Sequence, residues 1–567
     1  MYQASNPLIV QSDHTVLLEL ASPGYEAARD QLSRFAELEK SPEHVHTYRI
    51  SPLSLWNAAA SGMQAQGIVA ALAEYGKYEL PENVRREILD QMSRYGRIKL
   101  TKEADRLLLG ADDDALLTEI LHHPKLQGML LERRGPFAAV VEASQRGNLK
   151  QALIKIGYPV EDLAGYVPGE HLEIALRDIT LAGLPLVLRD YQREAVAVFH
   201  ADGSARGGSG VIVLPCGAGK TVVGLAVMAA VDAHTLILTP NTVAVRQWIH
   251  EIIDKTAIDP ASIGEYTGAL KQVRPVTVAT YQTLTYRRKG AGMPHLSLLG
   301  AQDWGLIIYD EVHLLPAPVF RATADIQARR RLGLTATLIR EDGHADEVFS
   351  LIGPKKVDVP WKDLEAQGWI ATAECTEVRV AMSPALRMDY ALADQRLKYG
   401  IAASNPDKMA VIERLLERHA ADTVLIIGQY MAQLQTIADH FDLPLITGET
   451  PVRRREALYQ QLRDGEIHRL VVSKVANFSI DLPDANVAIQ VSGTFGSRQE
   501  EAQRLGRILR PKAEGIQAHF YSLVSRDSLD QDFGAARQRF LTEQGYRYHI
   551  VYAEELEAIH GQALETA

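Results

Sequence analysis

The sequence predicts an α/β protein in which two doubly wound parallel-sheet domains follow a mixed α+β N-terminal accessory region. Two sets of short apolar runs carry this prediction. In the first, Val211–Pro215, Thr235–Pro240, Val276–Thr280, Leu306–Asp310 and Leu332–Thr337 alternate with helical patterns. Runs of strand length that are apolar throughout and separated by helices suit a parallel sheet covered on both faces. After about Trp361 the rhythm restarts with Val424–Gly428, Leu445–Thr447, Leu470–Ser473, Val487–Ser492 and His519–Val524. Two such series predict two domains of similar size with a cleft between them. The third observation is the change of texture near Leu188. Before it the chain mixes a strand-like Thr15–Leu20 with helical patterns over Leu53–Tyr75 and Val84–Tyr95.

The change of texture divides the 567 residues into three visible parts, the first running to about Thr180. Residues 184–360 are the first α/β domain and 361–567 the second. At about 150 residues per domain, three to four domains are expected for this length. The loop Asp202–Gly210 reads as a flexible connection, not a dinucleotide fingerprint. Asp112-Asp113-Asp114 reads as a solvated turn or a helix start.

Composition narrows the function classes. Hydrophobic residues make up 46% and charged residues 23%, with 41 Gly and 25 Pro, which excludes collagen-like and disordered chains. Sixty basic against 71 acidic side chains give a net charge of −11, which excludes a wholly basic nucleic-acid coat but not a local basic groove. The acidity is spread: 19 basic face 25 acidic side chains in residues 1–180, and 41 face 46 in the rest. Two cysteines, Cys216 and Cys375, cannot build a disulfide framework and suit a reducing cytoplasm. No apolar stretch has the length of a membrane span, and Met1–Val10 lacks a signal-peptide pattern. The expected location is the cytoplasm, with no membrane partner.

The chemistry begins at Val211-Ile-Val-Leu-Pro-Cys-Gly-Ala-Gly-Lys-Thr221, where a strand enters a Gly-rich turn and then a helix. Gly217 and Gly219 let backbone N–H groups curl around an anion, and the helix N-terminus adds its positive dipole end. Lys220 can reach the outer phosphates of a nucleotide, and the Thr221 hydroxyl can hold Mg2+. Leu214 stands where the strict Walker pattern has its first Gly.

Ninety positions after Lys220, the strand Leu306-Ile-Ile-Tyr-Asp310 ends in Asp310-Glu311-Val-His313. Paired carboxylates at that sheet edge stand where α/β folds bind ligands. Asp310 would hold Mg2+ through water, and Glu311 would orient or deprotonate the attacking water. No HExxH or Cys/His cluster surrounds His313, and His250-Glu251 fails that pattern too. Farther on, Gln503, Arg507 and Arg510 fall near one helical face. An arginine face is usually a solvated surface; across a cleft from a phosphate loop it could stabilise developing γ-phosphate charge.

Together these segments resemble superfamily 2 helicases, and most closely the XPB family in its bacterial type. The matching text is Leu188-Arg-Asp-Tyr-Gln192, LPCGAGKT at 214–221, DEVH at 310–313, Thr335-Ala-Thr337, Val472-Ser-Lys-Val475 with Ile480-Asp-Leu-Pro483, and QRLGRILR at 503–510. Arg340-Glu-Asp342 resembles the RED triplet that marks the family, and Arg537–Leu541 with Glu543-Gln-Gly545 is similar to its C-terminal text. The resemblance spans about 185–550 and is softer before that.

The resemblance implies two RecA-like domains, residues 1–120 as an accessory domain for partner docking or DNA grip, residues 121–183 similar to a damage-recognition domain, and a thumb-like insertion near 386–406. It implies that Arg189 and Gln192 meet adenine and that Gly217, Gly219, Lys220 and Thr221 hold the phosphates of ATP. Asp481 would touch the ribose, and Arg507 and Arg510 would be arginine fingers beside Gln503. His313, Thr335, Thr337, Arg340, Glu341 and Asp342 would couple hydrolysis to strand separation. Thr280, Gln282 and Ser473 would follow DNA phosphates, though Asn477-Phe-Ser-Ile-Asp481 departs from the Gly-rich text common in the superfamily. The implied activity is an ATP- and Mg2+-dependent 3′-to-5′ DNA helicase acting in repair or transcription. Its implied DNA is single-stranded and forked, and a nuclease or a repair or transcription protein would be its partner at the nucleoid. Two alternatives are a double-stranded DNA translocase without strand separation and a scaffold subunit with residual ATPase.

Overall fold

The computed structural model describes residues 2–41, 44–104, 106–215, 217–288, 292–327, 329–336, 345–359, 364, 373–473, 485–493, 518–543 and 547–556. The chain divides into two compact units. One comprises 1–37, 48–214 and 219–359, and the other 38–47, 215–218 and 360–567.

The first unit opens with an antiparallel hairpin of β1 (Leu8–Val10) and β2 (Thr15–Glu19), registered Leu8 to Leu18 and Val10 to Val16. The short strands β3 (Glu37–Lys40) and β4 (Val45–Arg49), which fall largely in the 38–47 stretch assigned to the second unit, follow in sequence. The expected helical stretch Leu53–Tyr75 is two helices, Pro52–Ala60 and Ala65–Glu74. Gly62, with φ of 89°, breaks the pattern between them. Ser51 caps the first through a reciprocal bond with Ser54. Helix Glu82–Arg94 completes this part.

Next comes a five-stranded sheet: β5 (Ile98–Glu103), β6 (Arg106–Ala111), β7 (Leu130–Arg133), β8 (Ala138–Val141) and β9 (Val160–Asp162), in spatial order β7-β8-β6-β5-β9. Helices Asp114–His122 and Arg146–Lys155 accompany it. The Asp112–Asp114 run starts a helix: Asp113 caps it by accepting a hydrogen bond from the Leu116 N–H at 2.7 Å. The boundary expected between residues 120 and 121 falls inside this helix. The strands on either side pair directly, β6 with β8, so this sheet is continuous from Ile98 to Asp162.

A buried ion cluster ties this sheet to the domain that follows. Arg146 grips Asp162 with two bonds of 3.1 and 2.7 Å, and Lys150 donates to Asp162 at 3.0 Å and to Gln327 at 2.8 Å. Arg331, also buried, donates to the Leu351 carbonyl at 2.7 Å, and Arg146 and Arg331 both lie over the Tyr166 ring. Trp56, Ile154 and Phe349 form an apolar contact among the three parts, and Asn57 accepts from the Lys355 N–H at 2.9 Å.

Burial alone would raise the Asp162 pKa, but the Lys150 and Arg146 charges hold it well below the carboxylate range. Its contribution to stability is therefore complete above the ordinary carboxylate pKa and disappears as pH falls below it. Burial, helped by the Arg331 and Arg146 charges, brings Lys150 down to about 8 against the pull of Asp162. For that group stability rises with pH between about 8 and its unfolded value. Asp162→Asn leaves two buried cations without their counter-charge and should cost about 3–5 kcal/mol at neutral pH. Urea unfolding checks this. The deficit should shrink in acid, and a loss under about 1 kcal/mol would show that the cluster is solvated.

The first α/β domain holds β10 (Ser209–Val213), β11 (Thr235–Thr239), β12 (Ile263–Tyr266), β13 (Val276–Thr280), β14 (Leu306–Asp310), β15 (Arg330–Thr335) and β16 (Lys355–Asp358). They make one parallel sheet in the order β12-β13-β11-β14-β15-β10-β16. The crossovers place β10, β14 and β15 side by side, so the carboxyl ends of the three strands that carry the sequence motifs are neighbours. Helices Lys220–Val231 and Thr242–Lys255 are among those that cover the sheet.

The second unit repeats this architecture with β17 (Ala373–Val380), β18 (Val424–Gly428), β19 (Leu445–Ile446), β20 (Arg469–Ser473), β21 (Val487–Gln490), β22 (Ala518–Ser525) and β23 (Arg547–Tyr552). Its parallel order is β19-β20-β18-β21-β22-β17-β23. Both sheets are RecA-like. Helices Pro384–Leu392 and Gln395–Ala403 occupy the stretch expected to hold the thumb-like insertion, with Met388, Leu392 and Leu397 exposed. A buried Lys408–Asp530 pair, 2.9 Å apart, anchors the chain after them; Lys408 also donates to the Ala403 and Val491 carbonyls. Among the described residues no helix is long and apolar enough to cross a membrane.

Candidate nucleotide site

β10 delivers the chain to a turn in which Gly217 and Gly219 take φ of 83° and 80°. L-residues avoid that region, so glycine is needed for the turn. Gly219 is also crowded: a Cβ there would lie 2.6 Å from Gln192 Nε2. Helix Lys220–Val231 starts at once, so its first N–H groups and positive dipole end face the turn. The Leu214 N–H donates to the Thr335 carbonyl at 2.9 Å, which fixes the start of the turn to β15.

The carboxylates come from β14. Glu311 leaves the strand with φ of 50° and ψ of 55°, a left-handed conformation that costs a non-glycine residue about 1–2 kcal/mol. Its Oε1 is 3.5 Å from Lys220 Nζ, and its Oε2 is 3.6 Å from His313 Nδ1. His313 Nδ1 shares a hydrogen bond of 2.7 Å with Thr335 Oγ1. Glu311 is buried, and among the described residues its Oε2 accepts no hydrogen bond. Asp310 Oδ2 accepts from Trp248 Nε1 at 2.9 Å, and the Asp310 carbonyl accepts from the Tyr281 hydroxyl at 2.9 Å. Burial and the Glu311 charge push the Asp310 pKa up to about 6, against the Trp248 hydrogen bond and the Lys220 charge. A cation close to both carboxylates would relieve that repulsion.

The structure thus gathers Lys220, Asp310, Glu311, His313 and Thr335 at one sheet edge, with Thr221 in the first turn of the adjoining helix. Gln192 lies buried against Gly219, and its Oε1 accepts from the Arg189 N–H at 2.9 Å. Arg189 donates to the Tyr191 hydroxyl at 3.1 Å. The Thr280 hydroxyl is buried and serves its own turn, accepting from the Thr283 N–H at 3.1 Å, whereas Gln282 is exposed. Ser473 closes β20 in the other unit with a buried hydroxyl that has no hydrogen-bond partner among the described residues. Thr337, Arg340, Glu341, Asp342, Asp481, Gln503, Arg507 and Arg510 lie outside the described residues. Sequence reasoning missed Trp248, because a tryptophan inside an amphipathic helix reads as core.

Comparison with known proteins agrees with this architecture. Residues 364–566 match the ERCC3/RAD25/XPB C-terminal helicase family. Residues 185–340 match the family described as type III restriction enzyme, res subunit, and 8–135 match one described as helicase conserved C-terminal domain. A DNA 3′-5′ helicase XPB of Mycobacterium tuberculosis is 56% identical over 97% of this chain and 98% of its own length. The chain belongs to the XPB helicase family. The DNA 3′-5′ helicase XPB of Kineococcus radiotolerans is 55% identical, with 97% of each chain covered. The XPB/SSL2 helicase/translocase subunit of the Saccharomyces cerevisiae general transcription and DNA repair factor IIH is 31% identical over 97% of this chain and 72% of its own. As an XPB helicase, the chain uses ATP.

Proposed function

We infer that this XPB helicase couples ATP hydrolysis to 3′-to-5′ movement on DNA and to strand separation. Near-full-length identity to two bacterial DNA 3′-5′ helicases carries this reading. The phosphate turn beside the carboxylate pair supports its ATPase half. The yeast relative's name joins helicase with translocase, so a translocase that leaves the duplex closed is the second reading. The bacterial relatives' names favour the helicase over that reading and over a scaffold with residual ATPase.

In the proposed site the Gly217–Thr221 backbone and Lys220 hold the triphosphate. Glu311 takes a proton from the attacking water or orients it. Arg189 and Gln192 meet the adenine, Asp481 the ribose, and Arg507 and Arg510 the developing charge. Thr221 and Asp310 are the residues that would hold Mg2+, whose charge would offset that of the phosphate oxygens. The donor set fits a hard cation, and the buried Glu311 Oε2 has no hydrogen-bond partner among the described residues. Among the described residues no cluster of three or more His, Cys, Asp or Glu forms a metal cage. The remaining ligands would be phosphate and water oxygens. His313 and Thr335, joined by their hydrogen bond, link this site to Thr337 and Arg340-Glu-Asp342, which act in strand separation. Thr280, Gln282 and Ser473 belong to the DNA path. Thr280 and Ser473 would act through backbone groups, because both hydroxyls are buried.

Single-stranded and forked DNA are the proposed substrates. A nuclease or a repair or transcription protein is the proposed partner, and the bacterial cytoplasm at the nucleoid the proposed location. DNA should stimulate ATP hydrolysis, and binding should weaken steeply with salt despite the net charge of −11. Fluorescence anisotropy and phosphate release across a salt series check this. Affinity independent of ionic strength would argue against a phosphate-tracking path.

A further inference from the structure

Trp248 lies within helix Thr242–Lys255, and its indole is buried. Two contacts set it apart from ordinary core. Its Nε1–H donates to Asp310 Oδ2 at 2.9 Å. Its ring also fills the space above Gly224, where a Cβ would lie 2.5 Å from Trp248 Cη2 and 3.3 Å from Leu334 Cδ1. Gly224 is one turn beyond Lys220 on the phosphate-turn helix, and Leu334 precedes Thr335 on β15. One rigid side chain therefore touches both the phosphate helix and the end of the carboxylate strand.

We propose that Trp248 is a positioning residue for ATP hydrolysis, keying the phosphate helix to β14 and fixing the rotation of the Asp310 carboxylate so that its other oxygen is left for a divalent cation. This rests on the nucleotide-site reading of 217–221 with 310–311. The physical reason is the softness of the carboxylate. Its terminal torsion is broad and roughly two-fold, so an unsupported Asp310 would spread over many orientations. A donor held by packing selects one. Indole is a donor only and carries no charge, so it orients the carboxylate without cancelling the charge that a cation needs. A lysine at that place would orient and neutralise together. Partners that orient metal-binding side chains are commonly worth about 10–100-fold in metal affinity or activity.

Trp248→Phe keeps a ring against Gly224 and deletes the donor. Gly224→Ala keeps the donor and pushes the ring. Mn2+ binding in the presence of ADP, followed by electron paramagnetic resonance, reads the site without turnover. Steady-state ATPase over a Mg2+ series reads its consequence. Both variants should weaken Mn2+ binding about 10–100-fold, raise the Mg2+ needed for half-maximal turnover to match, and lower kcat. The KM for ATP at saturating Mg2+ should stay within about threefold, because the phosphates are held by Lys220 and the turn. Parental Mn2+ affinity and Mg2+ dependence in folded Trp248→Phe would overturn the proposal. So would a loss of ATP binding equal to the loss of metal binding, which marks a structural role. If Trp248→Phe does not fold, Gly224→Ala decides by the same readouts. Lys220→Ala run in parallel separates the two readings. An inactive Lys220→Ala beside a parental Trp248→Phe sinks only the role of Trp248, whereas an active Lys220→Ala sinks the site itself.

Discussion

A Glu311→Gln enzyme should bind ATP and DNA like its parent and turn ATP over about 10²–10⁴ times more slowly. Glutamine keeps the length and the acceptor oxygen but cannot take a proton. The substitution also removes the charge that helps push the Asp310 pKa up to about 6. Asp310 should then ionise at lower pH, so cation affinity should hold or improve while hydrolysis fails. That opposite movement separates a chemical role from a structural one. Rapid-quench turnover, with equilibrium binding of a fluorescent ATP analogue, would show it. Loss of nucleotide binding would instead mean that Glu311 supports the turn.

Lys220→Ala should lower turnover by about 10²–10³-fold or more, because a positive group aimed at the charge that develops in the transition state is lost. It should also weaken ATP binding. The nucleotide-free protein should change as well. Lys220 is 3.5 Å from Glu311 and counters the rise of the Asp310 pKa, so its removal leaves two carboxylates facing one another. The Asp310 pKa should rise further. Turnover within threefold of the parent would remove Lys220 from the site.

Much of the fold was legible because a strand buried on both faces reads as a near-continuous apolar run. Val211–Val213, Leu236–Leu238, Leu306–Tyr309 and Val424–Ile427 are such runs. β17 was not legible for the opposite reason. Its text, AECTEVRV, carries two glutamates and an arginine. Glu377 is nevertheless buried, accepting from the Tyr548 hydroxyl at 2.9 Å and from Arg379 at 3.0 Å. A partner 171 residues away leaves no mark on local periodicity. The edge strand β12 and the split at Gly62 escaped for similar reasons of length and local geometry. The site divides the same way. Lys220, Asp310 and Glu311 show through motif spacing, and the structure gathers them. Trp248 shows only once helix Thr242–Lys255 is folded onto β14.

An ATP-driven motor of this kind separates strands with a fixed direction. Strand displacement on 3′-tailed, 5′-tailed and blunt duplexes of one sequence, with ATP and Mg2+, reads both properties at once. ATP-dependent displacement of the 3′-tailed duplex is expected, with little on the 5′-tailed or blunt duplex and none by Glu311→Gln. Displacement favouring the 5′ tail would contradict the direction, and DNA-stimulated ATP hydrolysis with no displacement of any substrate would contradict strand separation.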